Sequence, residues 1–207
     1  TAIILLLASA FYAYVLLFAY SDFPMHIALV EQINSGISEY PPNFAFYFLI
    51  NSIYHCTRGF ISLDYAAVLV LSVATATKYA ICKNIIFDSL KKFSANRSVV
   101  SVLLAVSLLF IFPLLDPYSL FYLKTMYLGK ISPVVWHNST SILLLPLALL
   151  LFWFQSRLFI SIALPARTDI IRIYLLILAN VAVKPSFILA YIPSTIIYGF
   201  YLLFKRR

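Results

Sequence analysis

Long runs of apolar residues without charge restrict most strongly what this chain can fold into. The first run, residues 1–20, contains no charged residue and is long enough to cross a membrane as a helix. Over all 207 residues, 63% are hydrophobic and 11% are charged, whereas soluble domains carry roughly 25% charged residues. This composition excludes an ordinary soluble globular protein and a disordered chain, and it predicts an integral membrane protein.

The spacing of the apolar runs predicts an all-α, polytopic membrane protein with about six transmembrane helices. The run at 42–57 is ambiguous, because it is suited either to a short span or to a helix lying along the membrane surface. The chain begins inside an apolar run and ends just after another, so we expect 1–207 to be a single transmembrane domain from a longer protein. The six predicted spans are 1–20, 62–82, 98–115, 139–154, 170–183 and 186–204.

The basic residues indicate on which side of the membrane each loop lies. If 42–57 does not cross and residue 21 emerges outside, the cytoplasmic segments hold ten of the fifteen Lys and Arg residues, which the positive-inside rule favours. We therefore predict a first outer loop at 21–61 with interfacial helices, and a second at 116–138. The expected location is a bacterial inner membrane or its equivalent, with the active face outside the cytoplasm. The ten basic residues are Lys83, Lys91, Lys92, Arg97, Arg157, Arg167, Arg172, Lys205, Arg206 and Arg207.

The first candidate catalytic residues follow the first span directly. Asp22 and His26 are four residues apart, and Pro24 between them suits the first turn of a helix, so both side chains are expected on one helical face. A carboxylate beside a histidine at the membrane surface can accept a proton from a polar substrate. The alternative is an N-cap aspartate with an interfacial histidine. Three apolar side chains of this helix are expected to face lipid: Ile27, Val30 and Ile33.

A second carboxylate, Asp116, ends the third run and is expected at the same membrane depth as Asp22; its alternative is a helix-ending Asp-Pro turn. Lys184 lies between two apolar runs, where an ionisable residue is a functional hypothesis by default, although it could simply mark the turn of a helical hairpin. For Lys124 and Lys130 in the second outer loop, the alternative to a binding role is that they are interfacial lysines of an aromatic belt. The candidate substrate-binding residues on the outer side are Arg58, Lys124, Lys130, His137 and Lys184.

The order and membrane side of these features resemble the N-terminal half of GT-C-type integral membrane glycosyltransferases. The resemblance covers nearly the whole chain, and no single motif in it is specific. It rests on an acidic motif after the first span, a Pro-Pro segment before an amphipathic helix, a basic inner loop, an acidic end to the third span and a later Lys-Pro. In this chain these are Asp22 with His26, Tyr40-Pro41-Pro42, residues 83–97, Asp116 and Lys184-Pro185.

The resemblance implies transfer of a sugar from a polyprenyl-phosphate-linked donor to an acceptor on the outer face. Asp22 matches the carboxylate that acts as the base or orients the acceptor, and Asp116 matches an assisting one. The implied partners are the lipid-linked donor, membrane lipid and an acceptor that the sequence does not identify, with no nucleic acid. Many members have two adjacent acidic residues in the first motif, whereas Ser21 and Phe23 flank Asp22. No cofactor is therefore expected, and a divalent metal remains an alternative that the sequence does not support. The alternative function is a non-catalytic membrane subunit or part of a transporter.

Overall fold

The structure, a computed structural model, describes residues 1–19, 21–90, 96–110, 121–124, 138–161 and 166–205. Within these ranges it contains eight helices and no strand, which confirms the all-α class. Over its described residues each predicted apolar run falls on a helix, and the ambiguous run at 42–57 contains a separate short one. The helices are α1 (Ala2–Phe18), α2 (Phe23–Asn34), α3 (Ala45–Cys56), α4 (Leu63–Ser89), α5 (Arg97–Phe110), α6 (Ser139–Ile160), α7 (Arg167–Val183) and α8 (Ser186–Lys205).

Two of the described helices, α4 and α6, are long and apolar enough to cross a membrane. Helices α1, α5 and α8 are apolar but shorter over the residues that can be described. The lengths and hydropathy of the helices therefore support a membrane protein only weakly, and they leave the number of six spans a prediction.

Helix α4 lies at the centre of the fold and packs against α1, α2, α3, α5 and α6. Small side chains fill its buried faces, including Ala66, Ser72 and Ala74, and they let neighbouring helices approach closely. Its buried polar groups are paired: Thr75 Oγ1 lies 2.7 Å from the hydroxyl of Tyr12 on α1. A pair of this kind stabilises the contact because neither hydroxyl is left without a partner in an apolar interior.

The apolar face of α2 does not point where the sequence predicted. Ile27 and Val30 are buried in the main core with side chains of α1, α3 and α4, and Ile33 packs against the edge of that core. The expectation that these three side chains face lipid is wrong. The periodicity of a helix identifies its apolar stripe, but the stripe settles against the nearest apolar surface, and here the bundle itself provides that surface.

Polar contacts join the helix ends at two separate places. Asp22, just after α1, bonds to Ser139 at the start of α6, whereas Asp88 near the end of α4 pairs with Arg157 near the end of α6 at 3.5 Å. Helix α6 therefore runs parallel to α4 and antiparallel to α1.

Large apolar side chains cover the outer faces of several helices. On α1, Leu6 is 70% exposed, and on α8, Leu189 is 74% and Ile197 70% exposed. Contiguous apolar surface on this scale is rare on soluble monomers and is typical of surfaces that contact lipid or another protein.

Candidate functional site

The turn between α1 and α2 places Asp22 at the N-cap position of α2, with Pro24 in the first turn. The carboxylate nevertheless makes no capping hydrogen bond to the helix. The alternative role of Asp22 as a side-chain N-cap is therefore contradicted. Its side chain turns instead toward His26 and α6.

Both carboxylate oxygens of Asp22 accept a hydrogen bond. Oδ2 lies 3.1 Å from His26 Nε2, and Oδ1 accepts from Ser139 Oγ at 3.1 Å. The predicted common face of Asp22 and His26 is thus confirmed. Their side chains are 16% and 11% exposed, so the pair is mostly shielded but keeps some access from outside.

Tyr47 on α3 holds the other nitrogen of the imidazole, with its hydroxyl 2.9 Å from His26 Nδ1. Burial raises the pKa of Tyr47, and the negative charge of Asp22 raises it further. When the phenol donates to Nδ1, the proton of the imidazole lies on Nε2, from which it is donated to Asp22. The three side chains therefore form a chain of hydrogen bonds from α3 through α2 to the carboxylate.

The ring of His26 is also held by packing. Its centroid lies 5.6 Å from that of Phe46 in an edge arrangement and 5.5 Å from that of Tyr47. Phe46 and Tyr47 are both buried on α3. The short helix from the ambiguous run thus fixes the orientation of the imidazole, which sets the direction of the bond to Asp22.

A cation lies beside this group. Lys184, at the end of α7, donates from Nζ to Ser141 Oγ at 2.8 Å and to Asn138 Oδ1 at 3.3 Å. Burial lowers the pKa of Lys184, while the negative charge of Asp22 acts in the opposite direction. Lys184 and Asp22 are therefore close enough to interact electrostatically. We call the whole group the polar cluster: Asp22, His26, Tyr47, Asn138, Ser139, Ser141 and Lys184.

The start of α6 supplies three members of the polar cluster. Asn138 caps the helix, because its Oδ1 accepts from the Ser141 backbone N–H at 3.0 Å and from Thr140 Oγ1 at 3.0 Å. The same oxygen accepts from Lys184, so one amide fixes both the helix end and the cation. Asn138-Ser139-Thr140 also matches the three-residue N-glycosylation pattern, and its asparagine is this N-cap.

The structure brings three of the predicted site residues together: Asp22, His26 and Lys184. Arg58 and Lys124 both have left-handed backbone (φ 52° for each), and both are exposed. Their side chains make no hydrogen bond or ion pair to another described residue. Three further candidates lie outside the described residues: Asp116, Lys130 and His137.

Sequence reasoning missed Tyr47, Ser139 and Ser141. The Asn-Ser-Thr-Ser run before an apolar segment is a helix-start signal, and it could have indicated a polar group at the end of α6. Tyr47 carries no comparable signal, because it stands among apolar residues in a short helix whose packing the sequence does not define.

The described residues contain no group of three or more His, Cys, Asp or Glu side chains placed to hold a metal ion. The groups available for chemistry are a shielded carboxylate, Asp22, and a cation beside it, Lys184. Comparisons of the chain with protein-family models, curated proteins and solved structures give no match. The functional argument therefore rests on the geometry of the polar cluster.

Proposed function

We propose that this chain is part of a GT-C-like membrane glycosyltransferase that moves a sugar from a polyprenyl-phosphate-linked donor to an acceptor on the outer face of the membrane. One observation carries the proposal: a carboxylate fixed by two hydrogen-bond donors lies beside a half-buried lysine at one end of a helical bundle. Sugar transfer from a lipid phosphate needs a base and a nearby positive charge, and these two groups supply them.

Asp22 is the base in this proposal. Each of its oxygens accepts one hydrogen bond from a described residue, and a carboxylate has about four acceptor positions, so a lone pair remains on each oxygen for the acceptor proton. As the acceptor oxygen or nitrogen forms its bond to the anomeric carbon, its proton passes to Asp22. The bond between the anomeric carbon and the phosphate oxygen breaks, and the electron pair leaves with the phosphate.

Lys184 balances the negative charge that develops on the leaving phosphate. Two of its three donors are used by Asn138 and Ser141, which leaves one for a ligand. Charge-assisted hydrogen bonds of this kind are stronger than neutral ones. Asp116 remains the predicted assisting carboxylate. The predicted further contacts to the donor are Arg58, Lys124, Lys130 and His137.

Six spans and an outward-facing site complete the proposal. The exposed apolar faces of α1 and α8 support contact with lipid. The polar cluster lies at the opposite end of α6 from Arg157, one of the basic residues expected in the cytoplasm. The outer loops at 21–61 and 116–138 then flank the acceptor side.

Transfer of a labelled sugar from a polyprenyl-phosphate donor, by the full-length protein in vesicles, tests this function. Asp22→Asn keeps the size of the side chain but removes its basicity, so the rate is expected to fall roughly 10²–10⁴-fold. Asp64→Asn, an exposed carboxylate at the start of α4, is the matched control and should keep full activity. Full activity of a normally expressed Asp22→Asn variant would overturn the proposal.

The alternative of a non-catalytic subunit is favoured by one feature of the polar cluster, since its hydrogen bonds also tie α2, α3, α6 and α7 together. A purely structural cluster predicts that Asp22→Asn lowers the thermal stability of the protein. If the chain is a non-catalytic subunit, the unaltered protein transfers no sugar from any donor tested.

A further inference from the structure

A cavity of about 630 Å³ lies between α6 and α8, and it shares no lining residue with the polar cluster. Its lining begins at Phe152, which is 13 residues from Ser139 along α6, or about 20 Å at the rise of a helix. Leu144, Ala148 and Val183 pack together in the interval between the two places. The cavity is thus a separate site, and its volume lies within the usual range for small-ligand pockets.

Aromatic rings and uncharged polar groups line the cavity, and none of the described residues in the lining is charged. The rings of Phe187 and Tyr191 are stacked with centroids 5.5 Å apart, and those of Phe159 and Tyr198 meet edge to face at 5.1 Å. A lining of this kind favours a flat, neutral ligand, because aromatic rings can stack on it and the described lining holds no countercharge for an ion.

One buried hydroxyl in this lining has no hydrogen-bond partner. Tyr191 is 8% exposed, and its hydroxyl makes no hydrogen bond within the described structure. The side chain of Thr195, one turn along α8, lies near this hydroxyl but does not meet hydrogen-bond geometry with it. Because buried polar groups are rarely left unpaired, the phenol requires a partner from outside the described residues.

The neighbouring serine hydroxyls of the lining help to define the chemistry of that partner. Ser156 donates to Phe152 O at 2.7 Å and Ser194 to Ala190 O at 2.8 Å, so neither has a proton left to offer a ligand. Thr195 and Tyr198 are more exposed, so Tyr191 is the buried hydroxyl of the described lining whose proton is uncommitted, and an acceptor oxygen would pair with it. A charged ligand would lie among uncharged side chains, and a plain hydrocarbon would leave the phenol unpaired.

We propose that the cavity between α6 and α8 binds a neutral, lipid-soluble ring compound with a ring carbonyl, of the quinone class. The carbonyl oxygen accepts from Tyr191, and the ring packs among Phe152, Phe159 and Phe187. The ligand enters from the lipid phase. This binding is independent of sugar transfer, since the cavity shares no residue with the polar cluster.

Calorimetric titration of the purified full chain in nanodiscs with menadione, a naphthoquinone without an isoprenoid tail, tests the site. Saturable binding is expected, and Tyr191→Phe should weaken it roughly fivefold through loss of one hydrogen bond. Tyr174→Phe, an exposed tyrosine on α7, is the matched control and should not change the affinity. Ala190→Phe, which fills the cavity, should abolish binding, whereas Leu189→Phe on the exposed face should not.

A second probe separates the carbonyl from the ring. Methylnaphthalene has the same ring without the carbonyl, so it should bind more weakly than menadione and be insensitive to Tyr191→Phe. Equal affinity for the two compounds, or unchanged menadione affinity in Tyr191→Phe, would overturn the proposal. Absence of saturable menadione binding to the unaltered protein would overturn it as well. Asp22→Asn should leave the titration unchanged, which keeps this outcome separate from that of the transfer assay.

Discussion

At the scale of the residue, Asp22 lies where a capping aspartate would lie but bonds elsewhere. Its oxygens accept from His26 and Ser139 rather than from the first backbone amides of α2. Asn is a suitable replacement for Asp22 in the transfer assay because it has the same size and keeps one acceptor oxygen. The Asp22 side chain makes no capping bond, so the replacement removes no cap. The sequence predicted the pair of Asp22 and His26 from its spacing, but it could not predict Ser139, which is 117 positions away.

Tyr47 acts through His26 as a positioning residue. Tyr47→Phe removes the donor to Nδ1 and leaves the imidazole free to change tautomer, so the maximal rate is expected to fall roughly fivefold, the effect of one hydrogen bond. The Michaelis constant for the donor should not change, because the phosphate site is untouched. Tyr54→Phe on the same helix is the control, and equal rates in the two variants would contradict this role.

Lys184→Gln tests the proposed phosphate contact. Removing a charge-assisted hydrogen bond should weaken donor binding tenfold or more, whereas Lys124→Gln, exposed and outside the polar cluster, should have a smaller effect. Because burial lowers the pKa of Lys184 below its ordinary 10.5, the cation loses its proton earlier as pH rises. Donor affinity should therefore fall with rising pH before an ordinary lysine titrates, and this decline should be absent in Lys184→Gln. An alkaline decline that persists in the variant would assign it to another group.

At the scale of the element, the positions of the helices follow from the apolar runs, but the faces that they bury do not. The run at 42–57 contains the helix Ala45–Cys56, and Phe46 and Tyr47 lie on the side of this helix that is buried in the bundle. For α2, the periodicity identified the apolar stripe correctly. The predicted neighbour of that stripe, lipid, was wrong, because the stripe packs against the other helices. The difference is physical, because local sequence determines where apolar residues lie on a helix, whereas the surface that covers them depends on distant segments.

The small residues of α4 give a test at this scale. Ala66 is fully buried where α4 meets the main core, so Ala66→Leu should overpack the contact and destabilise the fold by about 1–3 kcal/mol. Ala28→Leu is the same change at an exposed position of α2 and should have little effect. Thermal unfolding in detergent compares the two variants. A stability of Ala66→Leu equal to that of the unaltered protein would contradict close packing around α4.

At the scale of the whole molecule, the two ends of the bundle differ in chemistry. One end holds the polar cluster, and the other holds the ion pair of Asp88 and Arg157. The net charge of +8 arises largely from residues predicted on the second side. If the membrane lies between the two ends, the positive-inside rule places the polar cluster outside the cytoplasm.

Labelling with a membrane-impermeant thiol reagent in intact cells tests this orientation. Single cysteines are introduced as Ser35→Cys, at the end of α2, and Ser94→Cys, between α4 and α5, after replacement of Cys56 and Cys82. Position 35 should be labelled in intact cells because it belongs to the first outer loop, and position 94 only after the membrane is permeabilised. Ser38→Cys, in the same loop as position 35, provides a replicate whose result must agree with it. Labelling at 94 but not at 35 or 38 would show that the protein has the opposite orientation in the membrane. Asp22 would then face the cytoplasm, where the proposed outer-face transfer cannot occur.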